Sequence, residues 1–226
     1  VRREAMTTHY QETLRCAVCG HEAEYVRISS TNTFGAPDLD TRPAEMKRST
    51  IFAWIHRCPK CGYCASDISE TAPDAASVVH SQEYTRQLSE PAIPELANSF
   101  LCKALIDERS GDYAAAAWAM IHAAWVCDDA ESSDSARTSR RRAADMIDRA
   151  LENGQEVAGQ EGAETAVQVD LLRRAGRFDD ALQRIEARRP EITEDIILRI
   201  LDCQETLIAR GDDACHTVSE ALGQNE

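Results

Sequence analysis

From about Pro94 onward, apolar residues return every three or four positions, the period of helices with one buried face. In residues 137–151 the stripe runs through Ala143, Met146, Ile147, Ala150 and Leu151, with charges between. Arg140, Arg141 and Arg142 are expected on the solvated face opposite it. Trp118 and Trp125, seven apart in an Ala-rich stretch, share a face and are expected to pack in a core. The period breaks near Gly111, residues 130–135, residues 153–162, Gly176, Pro190 and Gly211. Residues 72–89 carry a weaker helical pattern through Val78, Val79 and Leu88, closed by Pro91 and Pro94.

The first part of the chain has another rhythm. Residues 24–28 and 49–57 are rich in β-branched and aromatic side chains and are expected as strands. Between them, residues 29–43 are polar and interrupted by Gly35, Pro37 and Pro43, so a long loop is expected.

Three of the helical breaks share a form, with Gly111, Gly176 and Gly211 each ending one helix before another begins. Tyr113 and Phe178 follow two residues after the first two glycines. Ala116 and Met120, then Ala181 and Ile185, repeat a small-then-large spacing that lets paired helices approach closely. Gly176 and Gly211 are 35 residues apart and Gly111 and Gly176 are 65 apart, near one and two periods of the tetratricopeptide repeat. His216 and Glu220 stand at those places in the third copy, as in a degenerate terminal repeat. The fold class expected is mainly α, with a small β zinc-ribbon head and an α-helical, tetratricopeptide-like C-terminal domain. A plain helical bundle is the alternative for the tail. The expected divisions are residues 1–70 (head), 71–93 (linker with a possible short helix) and 94–226 (helical domain).

Composition agrees with this division. Of 226 residues, 43% are hydrophobic and only 5% aromatic, which favours helices over an all-β sandwich or barrel. The net charge of −14 is unevenly spread. Residues 1–65 carry nine Lys/Arg and seven Asp/Glu, whereas the remainder carries 16 and 32. No apolar run approaches the roughly 20 residues of a membrane span, and a cytoplasmic protein is expected.

The nine cysteines also divide. Cys102, Cys127, Cys203 and Cys215 are scattered through helical sequence, where cysteines usually serve as small buried hydrophobes. Cys16 and Cys19, followed by Gly20, and Cys58 and Cys61, followed by Gly62, are two copies of one Cys-x-x-Cys-Gly knuckle. Together they supply the four thiolates that tetrahedral Zn²⁺ favours, and a closed set of this kind is structural. Cys64 extends the second knuckle to Cys-x-x-Cys-x-x-Cys, which would also suit an iron–sulfur cluster. Otherwise it is a fifth thiol packed beneath the knuckle. His21 and His56 each lie two residues from a knuckle cysteine. They are expected to be exposed or hydrogen-bonding, with ligand replacement as the alternative.

Thirty-eight residues separate Cys19 from Cys58, more than a minimal ribbon needs. Within them, Asp38, Asp40 and Arg42 allow two readings. Asp38 or Asp40 pairs with Arg42 and pins the loop across the ribbon, or the three form a recognition surface for a polar ligand or peptide.

The arrangement of Cys16, Cys19, Gly20, Asp38, Asp40, Pro43, Cys58, Pro59, Cys61, Gly62 and Tyr63 resembles the head of a widespread bacterial family of uncharacterised proteins. That family joins a zinc-ribbon-like head to a tetratricopeptide-like tail. Cys64 departs from the small residue usual after the Tyr. The resemblance implies no established activity, and no specific catalytic motif stands in the chain. The expected function is a protein–protein interaction scaffold, its helical surface taking a basic segment of a partner. The alternatives are a nucleic-acid-associated regulator, using Arg42, Lys47, Arg48, Arg57 and Lys60 of the head, and a zinc-thiolate redox switch.

Overall fold

A computed structural model describes residues 7–224; residues 1–6 and 225–226, at the outer edges of the expected head and helical domain, lie outside the described residues. Two antiparallel hairpins begin the chain. β1 (Thr8–Arg15) pairs with β2 (Glu22–Ser30), and β3 (His56–Arg57) pairs with β4 (Cys64–Ala65). Each hairpin is tipped by one Cys-x-x-Cys turn, because Arg15 faces Glu22 and Arg57 faces Cys64 at the two ends.

The strand expected over residues 49–57 is largely replaced. Arg48–Ala53 winds as a 3₁₀ turn, and only His56–Arg57 is extended. A strand would send Ile51 and Ile55 to one face and Trp54 to the other. The turn instead takes all three into one core, with Trp54 edge-on to Trp125 at 6.4 Å.

The region expected as a linker holds α1 (Ala75–Val79) and α2 (Gln82–Leu88), which pack on the helix that follows. Tyr84, Val78 and Val79 are buried, so these turns cover apolar surface. Beyond Pro94 come α3 (Glu95–Ser110), α4 (Tyr113–Asp129), α5 (Ser133–Glu152), α6 (Ala163–Arg174), α7 (Phe178–Arg188) and α8 (Asp195–Ala209). A last short helix, α9, spans Val218–Ala221. The breaks coincide with those read from the sequence. Ala116, Met120, Ala181 and Ile185 are all buried at helix crossings.

Each helix from α3 to α8 packs on its neighbours in sequence, and α6 also touches α8. The spacing of 65 residues between Gly111 and Gly176 nevertheless holds three helices, α4 to α6, rather than the four of two whole repeats. Long α4 and α5 and the irregular residues 153–162 use up the length. After Gly211, the short α9 is the only helix among the described residues. None of the described helices is long and apolar enough to cross a membrane.

α4 is buried almost all round, as its run of alanines, Met120, Ile121 and Trp125 allows. It carries α3 and α5 as neighbours and receives Trp54 from the head. Trp118, half-buried on the same helix, donates to the Val157 carbonyl at 2.9 Å. Both tail tryptophans are therefore packed and hydrogen-bonded. One apolar cluster runs unbroken from Ile51, Ile55 and Ile68 of the head into the helices.

The long loop is held in this seam. Around Asp38 it pairs with the chain near Thr217: Leu39 N–H donates to the His216 carbonyl at 2.9 Å, and Val218 N–H to the Pro37 carbonyl at 2.9 Å. Asp40 is fully buried and accepts from Trp125 Nε1 at 2.8 Å and from Arg174 Nη1 at 2.9 Å. Arg174 also donates to Asp128 at 2.7 Å, and Asp128 is in turn gripped by both terminal nitrogens of Arg140.

Candidate metal centre and helical cleft

The two knuckles fold alike because their sequences are alike. Cys16 N–H donates to the His21 carbonyl and Gly20 N–H to the Cys16 carbonyl, both at 2.8 Å. Cys58 N–H donates to the Tyr63 carbonyl at 2.8 Å and Gly62 N–H to the Cys58 carbonyl at 2.9 Å. Each turn closes through a glycine with positive φ, 70° at Gly20 and 75° at Gly62. A side chain at Gly62 would also collide with Leu88 of α2.

The sulfurs of Cys16, Cys19, Cys58 and Cys61 all lie within 4.8 Å of one another. Across the knuckles, Cys16 and Cys61 are 3.7 Å apart and Cys19 and Cys58 3.6 Å. Thiolates at about 2.3 Å from one ion would form a tetrahedron with edges of about 3.8 Å. The tetrad therefore fits a metal ion. Backbone N–H groups of Val18 and Cys19 point to the Cys16 sulfur, that of His21 to Cys19, and that of Tyr63 to Cys61.

Burial pushes the Cys16 and Cys61 thiols above the ordinary thiol range. At Cys19 the same burial is outweighed by the His21 N–H and the other thiols, which bring it down to about 7. Charge on these cysteines adds to burial in lifting nearby Tyr25 to about 12.

Cys64 is buried but stands outside the tetrad, its thiol donating to the Gly62 carbonyl at 3.3 Å. His21 and His56 are also outside it. His56 is buried rather than exposed, with its ring 5.1 Å from Tyr25 and Nε2 without a hydrogen-bond partner among the described residues. Burial pushes its pKa down. Among the scattered cysteines, Cys102 and Cys127 are buried and Cys203 half-buried, whereas Cys215 is an exposed residue. The Cys215 thiol turns back toward Asp38, and burial raises it to about 12.

Asp38, Asp40 and Arg42 are each less than a tenth exposed, so they form no open recognition surface. Their expected pairing is redistributed. Asp38 accepts from Arg48 at 2.6 Å, Asp40 takes the Arg42 backbone N–H at 3.2 Å, and the Arg42 side chain reaches Asp129 at 2.5 Å. The loop is pinned across the helices rather than across the ribbon. Arg174 and Asp128, which complete this seam, carried no distinguishing signal in the sequence. Burial alone would favour neutral Arg174, but Asp40, Asp170 and Asp128 hold it charged. Of the five basic head residues, Arg42 and Arg48 are committed to these pairs and Arg57 lies 3.5 Å from Glu95.

A second candidate surface lies on the tail. Two clefts of about 660 and 640 Å³ adjoin where Asp148 of α5 meets Arg184 of α7 at 2.6 Å. One half carries Arg141, Arg142 and Arg177 beside Asp145 and Asp180. The other carries Glu152, Glu161, Glu164 and Glu191 with Arg188. Arg140 is not on this solvated face as expected: it is buried against Asp128, while Arg141 and Arg142 line the cleft.

No family model matches the chain, and comparison with curated proteins and with solved structures finds no similar protein.

Proposed function

We propose that the chain is a structural-zinc, helical-repeat scaffold of the cytoplasm, whose α5–α7 cleft binds a basic segment of a partner protein. Four soft thiolates in a near-tetrahedral set favour Zn²⁺, and with all four positions taken the ion has a structural role. When bound, it would join the two hairpins at their tips. The long loop and Trp54 then carry this head onto the helices.

The observation that carries the binding role is the divided cleft. Its acidic half has four glutamates against Arg188, which itself lies 3.3 Å from Glu191. Lysine or arginine side chains of an extended segment would find Glu152, Glu161 and Glu164 there without an ion-pair partner among the described residues, and the Asp148–Arg184 bridge marks the end of that half. Three of the five basic head residues are engaged by carboxylates, which makes the nucleic-acid reading the weaker one.

The test is fluorescence anisotropy at low ionic strength with three labelled probes of equal length. These are a lysine- and arginine-rich peptide, an aspartate- and glutamate-rich peptide, and a single-stranded oligonucleotide. The basic peptide should bind, weaken with salt, and lose about tenfold in affinity on Glu161→Lys with Glu164→Lys. Equal binding by that double variant, or preference for the oligonucleotide, would overturn the reading.

A further inference from the structure

The arginine half of the α5–α7 cleft has a chemistry of its own. Arg141 and Arg142 of α5 line it, with Arg177 just before α7 and Arg184 within α7. Two of these cations are neutralised locally, Arg177 by Asp180 and Arg184 by Asp148. Arg141 donates from Nη2 to Thr138 Oγ1 at 3.1 Å but has no carboxylate partner, and Arg142 has no partner at all among the described residues. Against these two cations stands a single unpaired carboxylate, Asp145. In the other half the balance is reversed: Glu152, Glu161 and Glu164 are unpaired, while Arg188 lies 3.3 Å from Glu191.

A second observation comes from the floor of the arginine half. Gln168 of α6 borders it although the residue is only 1% exposed. Its amide nitrogen donates to the Ala144 carbonyl at 2.8 Å and to Asp148 Oδ1 at 2.9 Å. Because both partners are acceptors, they fix which end of the amide is nitrogen. The carbonyl oxygen accepts nothing among the described residues, yet it is not one of the sealed unpartnered atoms, so it opens on the cleft. An open acceptor beside two unpaired guanidinium groups suits a peptide, whose backbone N–H would meet the first and a carboxylate side chain the second.

The two halves also set a spacing. Arg141 and Glu152 lie on α5, their separation about 16 Å along its axis. An extended chain covers that distance in about five residues. Resting on the cleft reading above, we propose that the cleft takes a dipolar segment in one charge orientation. An aspartate or glutamate side chain sits between Arg141 and Arg142, a neighbouring backbone N–H donates to Gln168 Oε1, and lysine or arginine about five residues away meets the glutamates. The arginine half then gives specificity, because a uniformly basic segment would set like charge against Arg141 and Arg142.

The test is fluorescence anisotropy on the full chain at low ionic strength with labelled peptides of equal length. One carries aspartates at one end and lysines at the other and is made in both chain orders. A second alternates the same residues, and a third has lysines alone. One order of the dipolar peptide should bind about tenfold more tightly than the alternating one. Arg141→Glu with Arg142→Glu should weaken it about tenfold while the lysine peptide binds at least as well as before. Equal affinity for dipolar and alternating peptides would overturn the proposal, and so would equal loss of both ligands in the arginine variant. If the lysine peptide is still weakened by Glu161→Lys with Glu164→Lys, those results leave the basic-segment cleft standing. Binding of no peptide would overturn both.

Discussion

The head and the helical tail achieve order by opposite means. The tail is built around α4, with alanines at its crossings and large side chains such as Ile147, Leu171 and Leu201 fully buried. The head consists of two hairpins, the longer of which has only Tyr25 buried among its strand residues. Such hairpins are marginal alone in water. What orders them is the thiolate tetrad at their tips and the seam by which the long loop and Trp54 meet α4 and α6. Apolar area is what holds the tail; the longer hairpin of the head depends on directed bonds from a few residues, while Ile51, Ile55 and Ile68 join the rest of the head to the common core.

Removing the zinc proposed for the tetrad should widen this contrast most. Structural zinc contributes about 10–16 kcal/mol in small thiolate sites, so chelation or Cys58→Ser should unfold the hairpins. Far-ultraviolet circular dichroism should retain most of its helical signal while amide resonances of residues 8–30 collapse. Concerted loss of the helices would show that the two parts are one cooperative unit.

Next in size is Arg174→Ala, which leaves buried Asp40 without its cation and Asp128 with Arg140 alone. Breaking a buried pair in this way costs about 3–5 kcal/mol, measurable by urea unfolding. A loss below about 1 kcal/mol, the range of surface pairs, would mean that apolar contact alone seats the loop.

Ile147→Ala tests the other side of the comparison. It leaves a cavity under α5 at a cost of about 2–5 kcal/mol, with metal content unchanged. Zinc loss in that variant would contradict the division of labour.

Acid acts on the seam more gently. Burial raises the Asp128 carboxyl, but Arg140, Arg174 and Arg42 together hold it below the usual carboxylate range. Its stabilisation is therefore complete above the unfolded value near 3.9 and is lost as pH falls through the lower folded value. Unfolding free energies of the wild-type chain and Asp128→Asn should converge as pH drops from about 6 to 3. Parallel curves would show that the charge of Asp128 is not what matters. The smallest effect expected is from Ser81→Ala, which removes the cap accepting Tyr84 N–H at 3.1 Å, about 1 kcal/mol by thermal denaturation.

Much of this was legible in the chain. The knuckles were readable because spacing and glycine define a local turn, and two equal turns leave four sulfurs to gather. The helix ends were readable because Gly111 and Gly176 interrupt strong periodicity. Residues 49–57 were misread as a strand because their β-branched and aromatic content reports local preference, while the need to seat Trp54 on α4 is tertiary. The loop carboxylates were recognised as important, but their partners lie far along the chain in α4 and α6. The number of helices per period was misleading because glycine spacing counts residues and not turns of helix.

The sequence by itself determined the metal-binding turns, the helical character of the tail and the uneven distribution of charge. Each is set by residues within a few positions of one another, through backbone preference, side-chain spacing or simple summation. Only the tertiary structure decided that Asp40 is an internal anchor, that Arg140 is buried while Arg141 and Arg142 line a cleft, and that Cys64 stays outside the cysteine tetrad. Those outcomes depend on which surfaces the apolar core brings together, and solvation at a position exists only once the rest of the chain has covered it.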